Sequence, residues 1–226
     1  MGQAISDVLP LAVGVMISPI PIMGVILMLF SPRARVNGPS FLLGWVVGLG
    51  AVCAVVYAVA TGLDTATDPD ASDASSTLLV VLGVVLVLMA RRQWRSRPKA
   101  GAQPPLPKWM AAVDEVTPVK AIGLGLLLSA VNPKNLLLSV GAAAAVGQTA
   151  GLSTTDAEIA LAVFVIIGSL SVGVPVIAYL FAGDRMKPSL ESWKLWLEHN
   201  NATVMAVLLL VIGVVLLSKG LGPLTT

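Results

Sequence analysis

Ser129-Ala130-Val131-Asn132-Pro133-Lys134-Asn135 interrupts an apolar segment that runs from about Val119 to Val146. Lys134 is the only basic residue away from the ends of any candidate membrane span of this sequence. A charge near a bilayer centre costs at least ~3 kcal/mol on insertion scales, so such a residue is seldom kept without a partner or a task. Pro133 lacks a backbone donor and its ring clashes with the preceding turn, so the helix is expected to break where the charge sits. A broken helix carrying a buried cation is the pattern of an anion site in a transporter.

Composition places the rest of the chain around that break. It is 56% hydrophobic and only 12% charged, with a mean hydropathy of +0.90. Soluble domains carry about twice that share of charge, roughly 25%, so this is read as an integral membrane protein. Aromatics are few, and the apolar runs are continuous rather than alternating, which favours helices over a barrel. Cys53, the single cysteine, lies in an apolar run and reads as a small packing residue. The start of the chain, with Asp7 and no basic n-region, lacks a signal-peptide pattern.

The apolar runs give six spans, roughly 7–31, 39–62, 75–91, 118–147, 158–182 and 201–219. Segments 32–38, 91–117 and 183–200, with Lys120, hold twelve of the fourteen Lys and Arg residues. The alternate loops, 63–74 and 148–157, hold Asp64, Asp68, Asp70, Asp73 and Asp156 and no basic residue. The positive-inside rule then puts the basic loops in the cytoplasm and both termini outside. The chain divides into a first three-helix repeat, 1–92, a basic, Pro-rich cytoplasmic linker, 93–117, and a second repeat, 118–226. Within the linker, Gln103-Pro104-Pro105-Leu106-Pro107 is stiff. The run from Arg91 to Arg97 reads as a topology anchor or a contact for anionic lipid. Leu190, Trp193, Trp196 and Leu197 recur at helical spacing, so 189–200 is expected to form an amphipathic interfacial helix ending at His199.

The two halves resemble each other. Ser18-Pro19 in the first span matches Asn132-Pro133 in the fourth, and Gly44 to Gly50 in the second matches Val165 to Ser171 in the fifth. Three spans per half invert the second relative to the first. The expected fold is therefore all-α, with six transmembrane helices as two inverted three-helix repeats whose first helices are broken. Pro19, Pro21 and Pro133 are the breaking or gating positions. Half-helix N-termini attract anions, so Lys134, Asn132, Asn135, Ser18 and Ser129, with Ser139 nearby, are the substrate-binding set. The alternative role for Asn132 is capping freed backbone, and for Lys134 it is tying the half-helices together through freed carbonyls.

Other chemistry is missing from the sequence. Every Asp and Glu lies in a loop or at a span end, so no mid-membrane carboxylate is available to relay protons. No His or Cys cluster suits a metal, and no phosphate-binding loop suits ATP. His199 is too far from Ser18 or Ser129 to act as a catalytic base. No catalytic residue, metal, cofactor or nucleic-acid partner is expected, and an enzyme is disfavoured.

Ser18-Pro19-Ile20-Pro21, Gly38-Pro39 and Asn132-Pro133-Lys134-Asn135 resemble the LysE superfamily of small exporters, and within it the actinobacterial Sap/GAP branch of sulfolipid- and glycopeptidolipid-addressing proteins. The likeness covers nearly the whole chain. It implies an inner-membrane protein that exports a glycolipid or lipid precursor toward the cell envelope. Amino-acid exporters of the superfamily carry acidic residues near the first break, and this chain has none there, which favours an anionic amphiphile. The partners expected are membrane lipids and the lipidic substrate, with two further candidates: a second copy of the chain, since Gly44-Trp45-Val46-Val47-Gly48 allows close packing within or between copies, and envelope-lipid synthesis proteins. Two other readings stay open: export of a small metabolite or amino acid, and a non-transporting scaffold recruiting partners through the basic central loop.

Overall fold

The computed structural model describes residues 1–63, 70–96 and 115–224. The proline-rich part of the expected linker, with Arg97, Lys99 and Lys108, lies outside them. The described chain is helical: α1 (Gly2–Met16), α2 (Pro19–Phe30), α3 (Ala34–Leu63), α4 (Asp70–Arg95), α5 (Pro118–Leu126), α6 (Pro133–Gly147), α7 (Thr154–Ala182) and α8 (Lys187–Leu224). A π turn, Leu127–Val131, follows α5, and a 3₁₀ turn, Gly183–Met186, joins α7 to α8. Two starts are capped as their sequences suggest. Thr117 Oγ1 accepts the Lys120 amide ahead of Pro118, and Ser153 Oγ accepts the Asp156 amide.

Among the described residues, three stretches are long and apolar enough to cross a membrane, within Ala34–Thr61, Thr154–Leu197 and His199–Ser218. Two bent pairs, α1 with α2 and α5 with α6, raise the total to as many as five. The expected third span, in α4, is not among them. Several residues at the start of that span, within 75–79, lie outside those whose side chains are described. Large apolar side chains point outward along the helices, among them Val55, Ile166 and Phe181, the last 89% exposed. A multi-pass membrane protein solvates such side chains with lipid tails, whereas in water they would form an adhesive patch.

Close helix approach is set by glycine. A Cβ at Gly44 would strike the Ile122 carbonyl oxygen, and one at Gly125 would strike the Phe41 carbonyl oxygen. The α3–α5 crossing thus brings backbone against backbone, with Phe41 and Trp45 fully buried beside it. A second crossing pairs Gly83 of α4 with Gly213 of α8, where either Cβ would lie about 3 Å from the other's carbonyl oxygen. Helix α1 packs on α7, and α3 packs on α5, α6 and α7.

The expected amphipathic segment 189–200 is helical, but it is continuous with the last span rather than separate. It forms the first turns of the 38-residue α8, since nothing between Ser189 and Thr203 is a proline or glycine to end the helix. Leu190 and Leu197 are buried, while Trp193 and Trp196 are about half exposed. Ahead of it, Asp184 accepts from Lys187 Nζ at 2.8 Å and from the Tyr179 hydroxyl at 3.1 Å. Lys187 and then Tyr179 hold the Asp184 carboxyl below the usual carboxylate range.

Asn37 is a structural residue that the sequence concealed. It is fully buried, and its Nδ2 donates to Ser31 Oγ at 2.9 Å and to the Val116 carbonyl at 3.0 Å. Ser31 Oγ in turn donates to the Met28 carbonyl at 2.7 Å. The turn between α2 and α3 is thereby fastened to the segment that leads into α5. Between Arg33 and Arg35 on one side and Gly38 on the other, an asparagine reads as a solvated loop residue.

Candidate functional site at two helix breaks

Both expected breaks are present. The axes of α1 and α2 differ by 53° across Ile17–Ser18, and those of α5 and α6 by 62° across Asn132. Pro19 and Pro133 are the first residues of α2 and α6. That position suits proline, because its missing N–H would have no intrahelical partner anyway. Pro21 lies in the first turn of α2 and is buried. The prolines therefore start the second half of each broken helix, and Ile17–Ser18 and Asn132 make the bend.

The broken helices run against each other in opposite directions. Leu11 lies against Gly141, Gly14 against Leu138, and Gly24 against Leu128. Each step forward along one is thus a step back along the other. The same register carries Pro19 to the level of Pro133 and Ser18 to the level of Lys134.

The five expected binding residues divide by what their polar atoms already do. Asn132 Oδ1 accepts the Lys134 amide at 3.1 Å, so Asn132 caps α6. Asn135 Nδ2 donates to the Leu128 carbonyl at 2.9 Å, reaching back over the break to a carbonyl in the π turn. Ser129 Oγ donates to the Leu126 carbonyl of its own helix at 3.1 Å and sits against Gly48 of α3. Those three bonds hold the bend itself. Lys134 Nζ and Ser18 Oγ, by contrast, are buried and have no hydrogen-bond partner among the described residues, and the same holds for Asn135 Oδ1. Asn135, not Lys134, ties the two half-helices.

A buried ammonium without an acceptor is costly, and no packing argument accounts for it. Ser139, one turn beyond Asn135, has the Cys53 thiol within hydrogen-bonding reach, which leaves Lys134 and Ser18 as the groups with unused hydrogen-bonding capacity. Ser169 of α7, within the run matched to Gly44–Gly50, is a further buried hydroxyl without a partner among the described residues. A groove of about 460 Å³ opens beside the first break. Its walls are Met16 and Ile17 of the break, Ile22 of α2, Leu170, Val174 and Pro175 of α7, and Trp193 and Trp196 of α8, with Ser171 as its single hydroxyl.

These features define a multi-pass membrane protein with two opposed helix breaks, a buried lysine without a described partner at the second, and a lateral apolar groove beside the first. The chain belongs to the Sap, sulfolipid-1-addressing protein family, whose model matches residues 8–222 and so takes in both breaks. Neither the curated proteins nor the solved structures contain a match to it.

Proposed function

We propose that the protein is a transporter, not an enzyme, that carries an anionic amphiphile from the cytoplasmic leaflet of the inner membrane toward the envelope. The observation that carries this reading is the groove. It is apolar, open at the side, and has Met16 and Ile17 of the first break in its wall, while Ser18 and Lys134 are buried and stand outside that wall. An acyl chain fits such a surface, while the ammonium and hydroxyls suit a sulfate, phosphate or carboxylate head. A small metabolite would call for polar walls, and this groove has one hydroxyl. The family name, with its reference to a sulfolipid, agrees with a lipidic cargo. Kinship with LysE exporters belongs to the same proposal.

The architecture proposed with it is six spans in two inverted repeats. Aligning Ser18-Pro19 with Asn132-Pro133 makes Val15 and Ser129 equivalent. Val15 lies against Gly168 of α7, as Ser129 lies against Gly48 of α3. Likewise α1 packs on α7 as α5 packs on α3, and α4 meets α8. Exchange of the halves preserves these pairings, as a pseudo-two-fold axis between the breaks requires.

The basic loops orient the molecule with both termini outside, and the groove then faces the inner leaflet. Cysteine labelling at Ser72 and Ser96 in a Cys53→Ala background tests this. Impermeant reagent in intact cells is expected to reach position 72 alone, and labelling of position 96 alone reverses the orientation.

Filling the groove tests the route. Val174 is half exposed and lines it, so Val174→Trp is expected to slow lipid export in proteoliposomes by about tenfold, equivalent to ~1.4 kcal/mol on the barrier. Ile159→Trp, at an exposed position on the same helix outside the groove, should export at the wild-type rate. Equal rates for both variants would remove the groove from the pathway.

A further inference from the structure

The cytoplasmic end of α4 carries a second arrangement that the export route does not use. Arg91, Arg92 and Arg95, with Leu88, surround one cavity of about 300 Å³. A second cavity of about 430 Å³ lies between α4 and α8, lined by Val87, Ala90, Arg91, Trp94, Ala206, Val207 and Leu210. Arg91 lines both, so a cationic mouth and an apolar cleft share one wall. The three arginines are exposed, and none forms an ion pair among the described residues.

Three guanidiniums within little more than one helical turn repel one another and attract a multidentate oxyanion, which Arg binds with paired N–H donors. A soluble anion has no use for the adjoining cleft. A membrane phospholipid has the chemistry for both parts, its phosphate in the mouth and an acyl chain along Val87, Val207 and Leu210. Trp94, half exposed at the junction, is the residue type that settles at the headgroup level.

We infer that this double cavity is a binding site for an anionic phospholipid of the surrounding membrane, separate from the cargo site at the helix breaks. Occupancy ties α4 to α8 at their cytoplasmic ends. The site uses no residue of the breaks or of the groove, so its failure leaves the export proposal standing, and the converse holds.

Native mass spectrometry of the detergent-solubilised full chain tests it, with phosphatidylglycerol, phosphatidylcholine and inorganic phosphate as probes. Phosphatidylglycerol is expected to bind in preference to phosphatidylcholine. The double variant Arg91→Gln/Arg95→Gln should weaken phosphatidylglycerol binding on the order of 30-fold, as expected for removing two interfacial cations. Val207 is half exposed, so Val207→Trp fills the cleft without entering the core, and it should abolish binding of the lipid with all three arginines intact. Equal binding of the two lipids, or phosphatidylglycerol binding indifferent to either variant, overturns the site. Arginine-dependent binding that survives Val207→Trp and is displaced by inorganic phosphate would make it a soluble-anion site and would overturn the lipid assignment.

Discussion

Replacement of Lys134 by methionine is expected to abolish export per folded molecule while leaving expression and thermal stability close to wild type. Lys134 Nζ has no hydrogen-bond partner among the described residues, and the side chain is 1% exposed. The native state therefore bears the desolvation of an ammonium with no compensating bond. An apolar side chain of similar length removes that cost, and the variant is expected to melt at or above the wild-type temperature. Cargo binding, in contrast, loses its only mid-span cation. Lys134→Arg should keep part of the activity, because the planar guanidinium reaches the site with a different donor geometry from a point charge. Transport of an anionic lipid in proteoliposomes, normalised to folded protein, measures both. Full specific activity in Lys134→Met would sink the binding role. Loss of folded protein in step with loss of transport would assign the lysine a structural one.

The largest stability effect is expected at Gly125. Its added Cβ would meet the Phe41 carbonyl oxygen, with the Trp45 amide nitrogen at 2.8 Å and the Gly44 carbonyl carbon at 3.1 Å. All three are backbone atoms of α3, so no rotamer change relieves the overlap, and α5 must move away from α3. Burial of Phe41 and Trp45 depends on that approach. Gly125→Leu should cost ~3 kcal/mol or more, at the severe end of overpacking, and Gly125→Ala somewhat less. Gly123, two residues earlier in the same helix, has nothing within 4 Å of its Cβ position. Gly123→Ala is expected to be neutral or to gain up to ~1 kcal/mol from helix propensity. Thermal unfolding in detergent separates them, and equal melting temperatures would refute the crossing as the source of rigidity.

Much of this fold was legible because lipid simplifies the code. Apolar runs gave the helices, and a proline in each, beside a lone charge in the second, located each break to within two residues. What stayed hidden depended on which atoms meet across helices. Asn132, Asn135 and Ser129 carry the same kinds of polar atom as Ser18 and Ser139, yet the first three spend theirs on the bend and the latter two do not. No spacing rule distinguishes them, because the difference lies in which backbone groups the bend brings within reach: the Leu126 and Leu128 carbonyls and the Lys134 amide. Asn37 escaped notice for a similar reason: its partner at Val116 is 79 residues away. The separation of 189–200 from the last span was inferred from a change in polarity, and a change in polarity does not end a helix. The chain needs a breaker there, and it has none.

The unbroken α8 has a mechanical consequence. At 38 residues it is roughly 57 Å long, and the Gly83–Gly213 contact, flanked by Val87 and Leu217, gives it a fulcrum where two backbones meet. Trp196 lies seventeen residues from Gly213, about 25 Å along the axis, so a tilt of about 10° about the fulcrum swings it by ~4 Å. That displacement is comparable to the width of an alkyl chain. Because Trp196 forms part of the groove wall, rocking one rod at a point deep in the bilayer is enough to widen or pinch the doorway at its far end.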